Sequence, residues 1–219
     1  MLICILGDTH PNEQSDRLAE ELAVQLCTKV SSDSRRGKPF HQLMVTASPT
    51  GTAEAVRRGA DRCLVKRVDT HSLGPPHPDV VRNRNQSNGY YTLQYTDPLE
   101  RLHHLEATPV LVFLALNRRS VGLLLNTLYA LGQELQEVQG LRTVPRKILI
   151  WADALAVPGS TNQWSLDTLQ HYLGHTVSEE DQRKIIIFEK AGQVVEHVDY
   201  FSAQIQQTFG SKDVMEQSR

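Results

Sequence analysis

The sequence is poor in the features that mark specialised protein classes. It has three cysteines, Cys4, Cys27 and Cys63, scattered along the chain and each set in an apolar pattern. That number and spacing exclude a disulfide framework and a cysteine-built zinc site, and point to buried thiols in a reducing, intracellular compartment. No apolar run approaches the ~20 residues of a membrane-spanning helix, so no membrane span is expected. An excess of one charge is missing too: 23 Lys+Arg against 25 Asp+Glu give a net charge of −2. A near-neutral chain makes no electrostatic case for nucleic acid or for an anionic membrane. Because the first apolar run opens at Leu2, the sequence leaves no room for a signal or transit peptide. The cytoplasm is the default address, and import into an organelle after loss of a presequence is also compatible. Nothing calls for a metal or an organic cofactor.

What is present is an ordinary globular composition. At 219 residues, 40% apolar and 22% charged, the chain fits one α/β domain with a sizeable core. Apolar runs predict strands at Leu2–Leu6, Leu43–Val45, Cys63–Val68, Tyr90–Tyr95, Pro109–Leu116, Lys147–Trp151 and Lys184–Phe188. Between them, Leu18, Leu22, Leu26 and Val30 trace a stripe on a helix over 16–30, and a second helix runs from Thr52 to Gly59. Asp97 with Pro98 opens a short helix, Ser120 to Gln139 forms a leucine-rich one, and Ser165 to Leu173 another short one. Val194, Val198, Phe201, Ile205 and Phe209 mark a closing helix, leaving 210–219 as a tail. Residues 69–89, with three prolines, two glycines and no sustained period, read as a long loop. Strands alternating with helices predict a Rossmann-like, three-layer α/β fold over 1–209. Its central sheet is mostly parallel, with about seven strands and helices on both faces.

The organising stretch is 41–60. The run Leu43-Met44-Val45 ends in the turn Ala47-Ser48-Pro49-Thr50-Gly51, and a helix follows. Open α/β sheets hold anionic ligands at such a junction, because free amides and the helix dipole point there. Thr46 to Ala60 resembles the TGGGPGIMEAANRGA segment of the LOG, or lysine decarboxylase-like, family of nucleoside 5'-monophosphate phosphoribohydrolases, within the SLOG group of Rossmann-like folds. Thr46, Gly51, Glu54, Ala55, Arg58, Gly59 and Ala60 fall on the family letters without a gap. Ala47, Ser48 and Pro49 stand where the family has consecutive glycines. The similarity continues in element order along essentially the whole chain, with Arg101 on a helix before the strand at 110–116.

The resemblance implies hydrolysis of the bond between base and ribose 5'-phosphate, by an arginine and a glutamate beside a glycine-built phosphate cradle. Only if the chain is active would Arg101 and Glu54 be the catalytic residues of this sequence. The family's PGGxGTxxE is replaced by the nine residues from Asn117 to Leu125, so a leucine stands at the carboxylate position. Leucine can neither orient a nucleophile nor stabilise positive charge. The residues left to bind a nucleotide are Asp8, Ser48, Thr50, Gly51, Asn117, Arg118, Arg119 and Ser120, where charge and hydroxyl would replace glycine amides. Glu54 also has a local reading, as a carboxylate favoured in the first turn of a helix. Asp8 has one as well, bonding its own turn. The expectation is a catalytically degenerate LOG-like protein, a homodimer or a structural or regulatory subunit of a larger assembly, with two readings open for Arg118 and Arg119: a retained nucleoside monophosphate site, or a solvated or partner-facing loop. The alternative is an active phosphoribohydrolase. Gly7-Asp8-Thr9-His10 is also similar to the opening of calcineurin-like metallophosphoesterases, but the remaining metal-ligand elements of that family are missing from the sequence.

Overall fold

Strand β1 (Leu2–Leu6) forms where the chain offers an apolar run without charge, and it becomes the middle strand of the sheet. In the computed structural model of the protein, residues 1–34, 41–63, 68–73, 78, 90–97, 100, 108–115, 124, 147–155, 171 and 179–216 are described. The other strands are β2 (Gln42–Thr46), β3 (Val68–Leu73), β4 (Tyr90–Tyr95), β5 (Val110–Phe113), β6 (Lys147–Trp151) and β7 (Ile185–Phe188). They form one seven-stranded sheet in the order β4-β3-β2-β1-β5-β6-β7, every neighbouring pair parallel. Register follows hydrophobicity: Ile3 lies opposite Leu43 on one side and Val110 on the other, and all three are at most 1% exposed. A strand covered on both faces must be apolar at every position, which explains the continuous runs.

Three helices are described along their length: α1 (Glu13–Ser34), α2 (Thr52–Asp61) and α3 (Ala191–Glu216). Right-handed crossings from β1 to β2 and from β2 to β3 place α1 and α2 on one face, where they pack together, and α3 lies against the other side of α1. Leu124, in the connection from β5 to β6, is helical and fully buried.

Several boundaries differ from the sequence-based expectation. Helix α1 starts at Glu13 rather than near Asp16, because Asn12 caps it: its Oδ1 accepts from the Ser15 amide at 2.7 Å. A strand runs over Val68–Leu73, almost entirely inside the stretch expected to be a loop, while residues 64–67 of the expected strand Cys63–Val68 lie outside the described residues. Cys63 instead closes α2, its amide donating to the Ala60 carbonyl at 3.0 Å. The strand escaped hydrophobic reading because it buries polar residues: Asp69, Thr70 and Ser72 are 8%, 1% and 4% exposed, and Gln42 on β2 donates to the Asp69 carboxylate. Helix α3 continues through Gly210 to Glu216, so the expected tail from 210 is helical over most of its length.

The seam between α1 and α2 is unusually close. A Cβ on Gly59 would stand 2.3 Å from the Glu20 carbonyl oxygen and 2.9 Å from the Ala23 methyl. Around this contact Arg58 bonds Asp16 at 2.5 Å and Glu20 at 3.4 Å, and Arg62 bonds Glu20 at 2.8 Å. The hydrogen bond from Arg62 holds the Glu20 carboxyl below its ordinary value; burial opposes it and Arg58 assists. Gly59→Ala should therefore destabilise the fold by about 1–3 kcal/mol through overpacking, despite the better helix propensity of alanine. Urea denaturation measures this, and a neutral or stabilising result would contradict the close crossing. A depressed carboxyl contributes stability above its unfolded pKa and loses it as pH falls through the folded value. Glu20→Gln should thus cost about 0.5–1 kcal/mol at pH 7, a deficit that closes as the pH is lowered below 4. Denaturation midpoints at pH 7 and pH 3 give the comparison.

Candidate functional site

In the order β4-β3-β2-β1-β5-β6-β7 the chain moves outward one way from β1, then returns to β5 on its other side. That reversal opens a crevice at the carboxyl ends of the central strands, where ligands of open α/β sheets bind. Among the described residues the reversal is bordered by Gly7-Asp8-Thr9-His10 after β1 and Leu114-Ala115 after β5, and the turn Ala47-Ser48-Pro49-Thr50-Gly51 between β2 and α2 packs against the β1 segment from its other side.

The turn and the β1 segment are in direct backbone contact. Gly51 adopts φ 73° and ψ −151°, a conformation that L side chains rarely take. Any Cβ there would stand 2.3 Å from the Asp8 carbonyl oxygen and 2.6 Å from the Thr9 Cα. The Thr52 amide donates to that Asp8 carbonyl at 2.9 Å, and the Thr50 hydroxyl donates to the Thr9 carbonyl at 3.3 Å. Within the turn, the Ser48 hydroxyl donates to the Thr50 carbonyl at 2.9 Å and lies 3.4 Å from the Thr50 amide. Asp8 folds its own turn, with Oδ1 taking the His10 amide at 3.3 Å and the Thr9 hydroxyl at 3.4 Å. The local reading of Asp8 therefore describes its bonds. The His10 ring nitrogen Nδ1 lies 3.1 Å from the Thr9 hydroxyl. No group of three or more His, Cys, Asp or Glu placed to hold a metal occurs among the described residues.

The start of α2 is an under-satisfied helix terminus. Gly51 supplies no side-chain cap, and the first intrahelical bond runs from the Ala55 amide to the Gly51 carbonyl at 3.0 Å. Of the three amides ahead of it, that of Thr52 is taken by Asp8, while those of Ala53 and Glu54 have no acceptor among the described residues. The Thr52 hydroxyl, on a residue only 2% exposed, has no hydrogen-bond partner. It lies over Gly7, so close that a Cβ there would meet it at 2.1 Å. Two amide donors and the positive end of a helix dipole thus lie at this terminus, with the Thr52 hydroxyl buried against Gly7.

Sequence reasoning missed the residue behind this turn. Arg57, 4% exposed, reaches back from α2 to the Thr46 carbonyl at 3.4 Å and to the Ser48 carbonyl, and its Nε bonds Glu54 Oε2 at 3.2 Å. The legible signal was the i, i+3 spacing of Glu54 and Arg57, which suits an intrahelical pair. Of the residues expected at the site, Asp8, Ser48, Thr50 and Gly51 meet at the crevice. Glu54 begins the same helix but is tied to Arg57. Arg101, Asn117, Arg118, Arg119 and Ser120 lie outside the described residues, as do most of the leucine-rich stretch 120–139 and residues 74–77 and 79–89.

A separate cavity of about 430 Å³ lies beyond the ends of β6 and β7, lined by Glu13, Gln14, Arg17, Trp151, Glu189 and Lys190 among others. None of the expected site residues lines it, and its charges are of both signs. Substituting Gly51 tests the backbone contact that shapes the crevice. Gly51→Ala must place a Cβ where Asp8 and Thr9 stand, at a backbone conformation costing roughly 1–3 kcal/mol for other residues. The expected loss of stability is at least ~2 kcal/mol by urea denaturation, and a loss below about 0.5 kcal/mol would contradict the contact.

Comparison with known proteins bears on the fold. No protein-family model matches the chain, and no curated protein matches it. Among solved structures, it is similar to the molybdenum cofactor carrier protein MCP from Chlamydomonas reinhardtii, with a TM-score of 0.56 over 92% of this chain and 98% of that one. Identity is 11%, so the likeness speaks for a shared Rossmann-like architecture across nearly the full length of both chains.

Proposed function

We propose that the chain is a LOG-like binding protein without turnover of its own, a carrier or a structural or regulatory subunit. It holds a phosphorylated small molecule of the nucleoside monophosphate type where α2 begins. The observation that carries this reading is the pair of amides at Ala53 and Glu54, with no acceptor among the described residues, beside the unpartnered buried hydroxyl of Thr52. A phosphate oxygen is the acceptor that suits amides at a helix N-terminus. Absence of turnover is supported by Leu125, which stands where the resemblance places the carboxylate. A fold neighbour that is a cofactor carrier protein fits a role in holding a ligand rather than converting it. In this reading Arg118 and Arg119 would supply charge to the phosphate.

Thermal unfolding with a panel of nucleoside monophosphates tests the reading. A ligand at 100 times its dissociation constant stabilises by about 2.7 kcal/mol, roughly 5–10 °C for a domain of this size. At least one monophosphate is expected to give such a shift, with no free base released on prolonged incubation. A flat response across the panel would defeat the binding site. Release of free base, abolished by Arg101→Ala, would replace the carrier reading with that of an active phosphoribohydrolase.

A further inference from the structure

We infer that Arg57 is a positioning residue for the anion site: it sets the shape of the turn between β2 and α2, and through it the ability of the α2 terminus to receive an anion. The second half of this inference rests on the function proposed above; the first half does not. Residues 47–50 contain no glycine, so within the turn only Gly51 supplies a backbone conformation that glycine allows. Arg57 supplies an external clamp. From the second turn of α2 its guanidinium bonds the carbonyl at the end of β2, Thr46, and the carbonyl in the middle of the turn, Ser48, while Glu54 holds its Nε. A planar guanidinium with five donors in a fixed fork can hold acceptors on three residues at once.

The clamp has an electrostatic consequence as well. Carbonyl oxygens facing the crevice would repel an anion, and Arg57 draws one carbonyl of the turn and the last carbonyl of β2 to itself. The cation needed for this is almost completely buried, and Glu54 beside it offsets the charge. The segment that this turn resembles carries asparagine at position 57 and glycines in the turn. In this chain the lost glycines and the gained arginine occur together.

Hydrogen–deuterium exchange of the full chain, read peptide by peptide, and AMP binding by calorimetry test the two halves separately. Lysine at position 57 keeps the charge but loses the fork. For Arg57→Lys, exchange over residues 46–52 should accelerate tenfold or more while the sheet and α3 are unchanged, and AMP affinity should fall at least tenfold. Glu54→Gln, which leaves the carbonyl contacts in place, should accelerate the same peptide by about threefold, and it decides the matter if Arg57→Lys does not fold. Unchanged exchange at 46–52, or acceleration spread evenly over the chain, would overturn the clamp. If the wild type binds AMP and Arg57→Lys binds it equally well, the positioning role fails and the proposed function stands. If the wild type does not bind AMP, the proposed function fails for this ligand, and the exchange measurement still decides the clamp.

Discussion

The crevice exists because the backbone at Gly51 touches the backbone at Asp8 and Thr9. With a Cβ at position 51 excluded by the Asp8 carbonyl oxygen 2.3 Å away, the turn after β2 can close on the loop after β1. The Thr52 amide is then within reach of Asp8. From that one approach follow the direction in which α2 leaves the sheet and the placing of Thr52 over Gly7. The other close approach, Gly59 on α1 at Glu20 and Ala23, fixes the far half of the same helix. A ten-residue helix is thus held at both ends by backbone contacts that only glycine permits.

The arginines near the site are committed elsewhere. Arg58 and Arg62 face Asp16 and Glu20 across the helix seam, and Arg57 faces carbonyls and Glu54. Among the described residues, attraction for an anion therefore comes from oriented dipoles rather than from mobile charge. Dipoles fixed by the fold lose no side-chain entropy when a ligand arrives, and they discriminate by geometry. Such a terminus suits holding a ligand in place. Chemistry at the glycosidic bond asks for more, since a carboxylate must be free to serve developing charge or water.

Much of the architecture was legible because a parallel sheet covered on both faces demands apolar strands. β1, β2, β5, β6 and β7 announce themselves as apolar runs, and β4 by its aromatic and β-branched content. β3 did not, because Asp69, Thr70 and Ser72 are buried by hydrogen bonding rather than by hydrophobicity, and a polar stretch that forms a ladder looks like a loop in one dimension. The letters that carried the resemblance turn out to have packing roles. Gly51 shapes the turn, Arg58 pairs with α1, Gly59 allows the crossing, and Ala55 and Ala60 are fully buried. They record the fold more directly than any chemistry. Arg57 was passed over because nothing in a linear sequence shows that a helical arginine will turn back and bind the carbonyls eleven and nine residues before it.

The amides of Ala53 and Glu54 are where the account is most exposed. In a nitrogen–proton correlation spectrum of the full chain titrated with AMP, these two resonances should move first and furthest, with Thr52 alongside, and the nucleotide should remain intact throughout. If they stay fixed while AMP shifts resonances elsewhere, or if the base is cleaved as they move, the central claim is wrong.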